Sequence, residues 1–259
     1  RRKSDVQGYG FSRDLSLDSI FNLLNGNDEQ MKYAPKVLDG SINYPTSRSI
    51  QYDETFYSGC LDNIRDSIKG LYYNESYINS LLEVLEANLT YIPSSTSREE
   101  VADISLFDHS KLTAALGCCI WEYLDAQRVE DYRERLFTQA ASFYQEKAFL
   151  LYSFDLSGIQ DFIYSIADDG ALRALRARSF YLELLMEHLV DTLLERVGFS
   201  RANCIYCGGG HAYLLFANTE QTIKTVAAFE NDINSWFLDT FGTALYAAGG
   251  YASCSANDL

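Results

Sequence analysis

The sequence lacks the long apolar segments and the leader that mark membrane and secreted proteins. It holds no run of about 18 apolar residues and no charged, apolar leader, so neither a membrane span nor a secretory signal is expected. The expected compartment is therefore the cytoplasm. Six cysteines in 259 residues are too few for a disulfide scaffold, and we expect all six to be reduced.

Positive charge is also scarce. The chain has 21 Lys and Arg against 36 Asp and Glu, which gives a formal net charge of -15. Because phosphate neutralisation supplies most non-specific nucleic-acid affinity, this balance argues against a broad nucleic-acid binder. Any contact with nucleic acid is expected to be local or made by partners.

Apolar residues are plentiful, at 47% hydrophobic and 14% aromatic, which suits one large core or two modest ones. The chain begins with Arg1 rather than Met and stops directly after a strand-like stretch, so we expect a piece of a longer protein. The predicted fold class is α+β, with a helical domain over 1–145 and a ferredoxin-like domain over 146–259.

The first domain is predicted to be helical because apolar residues recur three or four positions apart. The predicted helices cover 16–26, with Ser16 as its cap and Gly26 as its end, then 56–71, 73–92 and 104–126. The adjacent Cys118 and Cys119 suit the interior of the last of these helices.

The second domain begins with "AFLLYSFDL", which predicts a central strand buried on both faces. The segments that follow predict a short helix capped by Ser157, a long helix over 171–197, a hairpin, a helix over 219–241 and a last strand. The order strand, helix, strand, strand, helix, strand is that of the ferredoxin-like unit shared by polymerase palms and nucleotide cyclases.

The hairpin "CIYCGGGHAYLLFAN" lacks the acids that palm enzymes carry at its tip, where Gly210 and His211 stand instead. Asp155, at the end of the first strand, is the only carboxylate in place. One carboxylate cannot hold the two divalent ions of phosphoryl transfer, so we expect no metal site on this palm alone. The three glycines either form a turn only, or leave bare backbone against which a nucleotide or a facing domain packs.

These segments resemble a known family. "FDLSGIQDFIY", "GALRALRARSFYLELLMEHLVD", "GFSRANCIYCGGGHAYLLFANT" and "CSANDL" are similar to the first palm domain of the large subunit of type III-A (Csm-type) CRISPR effector complexes. "DISLFDHSKLTAALGCCI" resembles the last part of that family's HD nuclease domain. The resemblance runs from about residue 100 to the end of the chain.

For the whole protein, the resemblance implies cleavage of single-stranded DNA by the HD domain. It also implies ATP-dependent synthesis of cyclic oligoadenylates by paired palms when target RNA is bound. The implied partners are other Csm-type subunits with guide and target RNA, single-stranded DNA and a second palm, whose GGDD hairpin carries the catalytic acids; no membrane partner is implied. The implied ligands are ATP and a divalent metal, Mg or Mn, held with HD and second-palm residues that this chain lacks.

This chain would then supply the acid-free palm that helps to bind ATP, and it is expected to be inactive alone. The resemblance carries nucleotide binding to Asp155, Ser157, Gly158, Gln160, Gly208, Gly209, Gly210 and His211. Arg173, Arg176 and Arg178 would meet phosphates, and Arg176 is taken as a site residue; arginines so placed also commonly form a solvated or ion-paired face. The alternative function is a non-catalytic module that docks other effector subunits.

The nuclease pattern is incomplete, because an HD site needs a His-Asp dipeptide and the sequence has none. Asp108 and His109, in reversed order, are either a remnant of that site or part of a helix cap. Cys204 and Cys207 form a C-x-x-C. On a regular strand they would point to opposite faces, which argues against a shared metal.

Overall fold

The computed structural model describes residues 10, 12, 14–26, 28–48, 50, 52–74, 76–164 and 171–259. Contacts within the chain divide it into two units, Arg1–Thr113 and Ala114–Leu259. In the part of the chain so described, no helix is long and apolar enough to cross a bilayer.

The described part of the first unit combines helices with irregular segments that carry isolated β-bridges. Its helices are α1 (Phe21–Leu24), α2 (Glu54–Lys69), α3 (Tyr77–Leu89) and the start of α4 (Leu106–Ala126). Asp53 caps α2 by accepting a hydrogen bond from the backbone N–H of Phe56 at 2.8 Å. Near it, the buried Tyr52 places its hydroxyl at hydrogen-bond distance from the carbonyl oxygens of Tyr33 and Tyr91.

The first predicted helix is wrong in its extent. It covers four residues rather than 16–26, because Ser16 is buried and does not cap it, and the chain turns with positive φ at Gly26. The helices predicted over 56–71, 73–92 and 104–126 are confirmed, with ends shifted by up to four residues.

The second unit contains a four-stranded antiparallel sheet with strand order β2-β3-β1-β4. Its elements after α4 are a π-helical turn (Glu134–Thr138), α5 (Ala140–Phe143), β1 (Phe149–Ser157), α6 (Ile159–Tyr164), α7 (Ala171–Val197), a 3-10 turn (Arg201–Asn203), β2 (Cys204–Gly208), β3 (His211–Ala217), α8 (Glu220–Phe241) and β4 (Tyr246–Cys254). This order and this sheet confirm the predicted ferredoxin-like domain.

The main core lies on one side of the sheet, against α7 and α8. Every second residue of β1 is buried there: Leu150, Tyr152, Phe154 and Leu156. The residues between them are half-buried from Leu151 onwards. The expectation that β1 is buried on both faces is therefore wrong for most of the strand, because no helix in the described part of the chain covers the far end of its second face.

The near end of that second face is covered by the C-terminal part of α4. Cys119 and Leu124 pack there with Phe149 and Leu215. The buried Asn203 ties the layers together, since its Nδ2 donates to the carbonyl of Leu215 at 2.8 Å and to that of Ala115 at 3.4 Å. Because the C-terminal part of α4 packs on the sheet, the division between the two units falls at Thr113/Ala114, within α4. The domain boundary predicted at 145/146 stays a prediction.

Tyr152, the largest fully buried side chain, sets a local packing requirement. Its hydroxyl donates to Glu230 Oε1 on α8 at 2.8 Å, and burial together with this bond raises the pKa of the phenol. A Cβ on Gly249 of β4 would overlap both of these groups, whereas one on Gly250 would meet nothing. Gly249 is therefore a position of close packing between β4 and α8.

Gly249→Ala is therefore expected to destabilise the second unit by about 1–3 kcal/mol, because it overpacks the core and displaces the partner of a buried hydroxyl. The neighbouring Gly250→Ala is the control and should change the free energy of unfolding by less than about 1 kcal/mol. Urea unfolding followed by circular dichroism measures both. Equal stability of the two variants would contradict the packing described for Gly249.

All six cysteines are free, as the sequence predicts, and two adjacent ones differ sharply. Cys118 is exposed on α4, whereas Cys119 is fully buried and its burial raises the pKa of the thiol to about 12. Since only a thiolate reacts, iodoacetamide at pH 8 should modify Cys118 and leave Cys119 intact in the folded protein. Peptide mass spectrometry checks this, with Cys118→Ser as control; native-state labelling of Cys119 would contradict it.

Candidate functional site

The hairpin between β2 and β3 is a two-residue turn. Gly209 and Gly210 occupy its two central positions with φ of 60° and 88°, and Gly208 pairs with His211 across it. Positive φ at both central positions is typical of the type I′ turn, whose twist matches that of the flanking strands. The tight hairpin predicted from the sequence is thus confirmed.

The three glycines serve different purposes. A Cβ on Gly210 would overlap Cδ1 of Ile159 at the start of α6, and one on Gly208 would lie 3.0 Å from the hydroxyl of Tyr206. Only at Gly209 would a Cβ meet nothing within 4 Å. The space beside Gly208 and Gly210 is therefore occupied by side chains of this protein. Of the three glycines, only Gly209 has open space beside it.

Asp155 lies beside the hairpin, paired with two polar neighbours. It is the register partner of His211, whose Nδ1 is 2.7 Å from Asp155 Oδ1, and the hydroxyl of Ser157 donates to Asp155 Oδ2 at 2.8 Å. The two side chains of the pair are 37% and 56% exposed, so both are accessible to a ligand. Among the residues that the structure describes, no three His, Cys, Asp or Glu side chains are grouped as a metal site requires.

The loop from β1 to α6 brings two more predicted residues to the same end of the sheet. Gly158 has φ 89°, and a Cβ there would overlap the carbonyl oxygen of Ala244, so its glycine is required by packing. Gln160 is exposed on α6. Ser157 ends β1 and donates to Asp155; the prediction that it caps a helix is wrong, since the carbonyl of Gly158 accepts from the N–H of Phe162 in the first turn.

The three arginines near the start of α7 differ in their surroundings. Arg178 donates to the carbonyl of Phe162, and its guanidinium lies 5.1 Å from the centre of the Phe162 ring, so it holds α6 against α7. Arg173 and Arg176 are exposed on α7. The hydrogen bonds and ion pairs described for the hairpin do not include Arg176, so its contact with a phosphate stays a prediction.

Asp108 and His109 lie in the first turn of α4. Ser105 forms the cap: its hydroxyl accepts from the N–H of Asp108 at 2.9 Å and donates to Asp108 Oδ2 at 2.7 Å. Both Asp108 and His109 are exposed. Of the two possibilities, the helix start describes their geometry, and their role as a nuclease remnant stays untested.

The argument that Cys204 and Cys207 point to opposite faces is wrong. The register shifts between Cys204 and Tyr206, which is a β-bulge, and both cysteines then face the main core. Burial, with the neighbouring Glu187, raises the pKa of Cys207 to about 12. Both side chains pack in the core, and they belong to no group of three possible metal ligands among the described residues.

The sequence analysis missed the aromatic pair Tyr206 and Tyr213. They are register partners on β2 and β3, with ring centres 6.3 Å apart, and they point to the same side of the sheet as Asp155 and His211. The signal was present: each tyrosine stands two residues outside the pair that closes the turn, so alternation places both on one face.

The exposed part of this side of the sheet is here called the open face. It consists of Ser153, Asp155, Ser157, Tyr206, Gly208, His211, Tyr213, Tyr246, Ala248, Gly250 and Ala252.

The turn geometry can be tested without any ligand. Gly209→Asn should preserve stability to within about 1 kcal/mol, because Asn tolerates positive φ and the space beside Gly209 is open. Gly210→Ala should destabilise by about 1–3 kcal/mol, since φ 88° disfavours a Cβ that would also press on Ile159. Thermal unfolding compares the two; a larger loss for Gly209→Asn would contradict the structure.

A family model for the "Csm1 subunit domain B" matches residues 148–259. The CRISPR system single-strand-specific deoxyribonuclease Cas10/Csm1 (subtype III-A) of Mycobacterium tuberculosis is 50% identical over 265 residues, covering 100% of this chain and 33% of that protein. The protein of the same name from Streptococcus thermophilus is 44% identical, covering 93% of this chain and 32% of that protein. The chain thus spans about a third of the length of the curated relatives that it matches.

Solved structures agree with this similarity. A crystal structure of a Csm1-Csm4 cassette in complex with cA4 matches with a TM-score of 0.73 at 28% identity, over 96% of this chain and 32% of that chain. A Csm1-Csm4 cassette in complex with one ATP matches with a TM-score of 0.71 at 29% identity, over 93% of this chain and 30% of that chain.

Proposed function

Because this chain belongs to the Csm1 family of type III-A CRISPR proteins, we propose that its open face binds ATP as one palm of a cyclic oligoadenylate synthase. The rest of a protein of its relatives' length would supply the second palm and the catalytic acids. In this reading the chain binds and orients a nucleotide and does not itself activate the attacking hydroxyl.

The observation that carries the proposal is the pairing of Asp155. Its two carboxylate oxygens contact His211 and Ser157, and no second acid lies on the open face. Two divalent ions that join phosphates need several oxygen ligands, so the described residues suit binding and not phosphoryl transfer. Mg or Mn would be held with acids of the second palm and would stabilise charge on the transferring phosphate.

The solved neighbours support the choice of ligand. Csm1-Csm4 cassettes have been crystallised with one ATP and with cA4, and both structures share the fold of this chain. We extend this ligand class to the open face, where Gly209 leaves bare backbone next to exposed polar side chains. Other Csm subunits, with guide and target RNA, complete the proposed assembly in the cytoplasm.

We also propose that the whole protein cleaves single-stranded DNA, the activity named for its relatives. The described residues contribute no complete centre for this reaction, because Asp108 and His109 lie exposed at a helix start and no metal-binding group of three is found among those described. The metal ligands of the nuclease would thus come from other residues of the whole protein.

The chain alone, incubated with ATP and Mg²⁺, is expected to bind ATP weakly and to form no oligoadenylate, because it offers one carboxylate where several are needed. Calorimetry measures the binding, and chromatography of the reaction mixture measures the products. Oligoadenylate formed by the isolated chain would contradict the argument from the missing acids.

Gly209→Asn tests the nucleotide site in a protein of the relatives' length, assembled with its Csm partners and target RNA. The added side chain fills the open space at the turn, and we expect ATP to bind about tenfold more weakly, a change of about 1.4 kcal/mol. The matched control is Gly198→Asn, which also has positive φ and open space but follows α7 at the other end of β2. Unchanged ATP affinity with intact assembly would favour the alternative, a docking module.

A further inference from the structure

Tyr206 and Tyr213 take no part in the pairing of Asp155, yet they are the two aromatic side chains that stand together on the open face; Tyr246 lies apart from them on β4, at the opposite edge of the sheet. They stand side by side on adjacent strands and are 52% and 43% exposed. In a sheet, large aromatic side chains are normally covered by a second layer. On this half of the sheet α4 covers the row of Leu215 and not the row of Tyr213.

The register aligns the tyrosines across the sheet with residues that have very small side chains. Tyr206 pairs with Tyr213, Tyr213 with Ser153, and Ser153 with Gly250. Two aromatic rings therefore stand next to two nearly bare positions, and a Cβ on Gly250 would meet nothing within 4 Å. The row offers a ring face beside open space into which a flat group fits.

The aromatic pair is continuous with the hairpin tip. The hydroxyl of Tyr206 lies over Gly208, 3.0 Å from where a Cβ would be, and Gly208 shares a row with His211 and Asp155. The two rings are tilted by 43° with centres 6.3 Å apart, so they form an uneven surface and not a closed stack. A ligand held at the tip would extend along the sheet onto these rings.

Exposed aromatic side chains on a four-stranded sheet of this topology are suited to nucleobases. Every base has a flat π-face, and stacking on aromatic side chains tolerates any base identity. A base is also uncharged, so the acidic balance of the chain does not oppose its binding.

We propose that Tyr206 and Tyr213 form a stacking surface for the nucleobase of the ATP bound on the open face. This inference rests on the proposed function of that face and adds which side chains hold the base. The triphosphate would lie toward the turn at Gly209, and the base would lie against the rings, next to Ser153 and Gly250.

The test uses a protein of the relatives' length in its assembly, with the triphosphate of 2-aminopurine riboside as probe, because its fluorescence is quenched by stacking. Tyr213→Leu keeps an apolar side chain but removes the ring, and we expect it to weaken ATP binding about 5- to 100-fold and to relieve the quenching. Tyr213→Phe should retain both. Tyr206→Leu should also weaken ATP binding and relieve the quenching. It replaces Tyr213→Leu as the test if Tyr213→Leu lowers the melting temperature of the protein.

Tyr251→Leu is the matched control. Tyr251 is 51% exposed on the neighbouring strand β4 but pairs with Tyr152, so it points to the opposite side of the sheet. Its replacement should leave ATP affinity and quenching unchanged. Tripolyphosphate, which has no base, should bind the wild type and Tyr213→Leu equally.

The outcomes separate this inference from the proposed function. If Gly209→Asn weakens ATP binding and both leucine variants do not, the stacking surface is overturned while the nucleotide site stands. If none of the three variants changes ATP binding, the proposed function itself fails. If the leucine variants weaken binding of a single-stranded oligoribonucleotide and not of ATP, the tyrosines serve RNA and the proposal is overturned.

Discussion

The two-residue turn at Gly209 and Gly210 fixes the register on which the open face depends. Because two residues connect the strands, Gly208 must pair with His211, and β3 then sets His211 opposite Asp155. A shift of one residue would turn each of these side chains to the helix side of the sheet. Positive φ at both central positions makes the turn, so the glycines determine the site through geometry before any ligand is involved.

The same register explains how a palm can lack catalytic acids and keep its shape. The position across from Asp155 holds an imidazole, which contacts the carboxylate at 2.7 Å, and Ser157 satisfies its other oxygen. The carboxylate is therefore partnered without a cation. Glycine fits the tip because side chains at Gly210 and Gly208 would press on Ile159 and on the Tyr206 hydroxyl.

The sequence predicts elements well where the pattern is long. The 27 residues of α7 lie within their predicted bounds because Gly198, whose positive φ stops the helix, directly follows the last of them. Local exceptions are not visible in such patterns. The bulge between Cys204 and Tyr206 puts Cys207 on the same side of the sheet as Cys204. Because a bulge adds one residue to a strand without changing its composition, the sequence pattern does not reveal it.

The candidate site was predictable in part for the same reason. Asp155 and the hairpin follow from the order of the elements, and the pairing of Tyr206 with Tyr213 follows from counting outward from the turn. The contact of Ala244 with Gly158 and the bond from Arg178 to Phe162 join segments that are distant in sequence, so no local pattern encodes them. The first depends on how β4 pairs with β1, and the second on how α6 packs against α7.

The distribution of charge favours a base over a phosphate as the group that the open face holds most closely. The acids of α7 lie on the helix side, where Arg201 pairs with Asp191 and Glu187; Asp191, then Glu187, raises the pKa of that guanidinium. The open face has one carboxylate, already paired, and no lysine or arginine in its register rows. In the proposed complex, a triphosphate would therefore find little direct charge compensation there, and cations or side chains of a facing domain would have to neutralise it, while rings and bare backbone would bind the neutral part of the nucleotide.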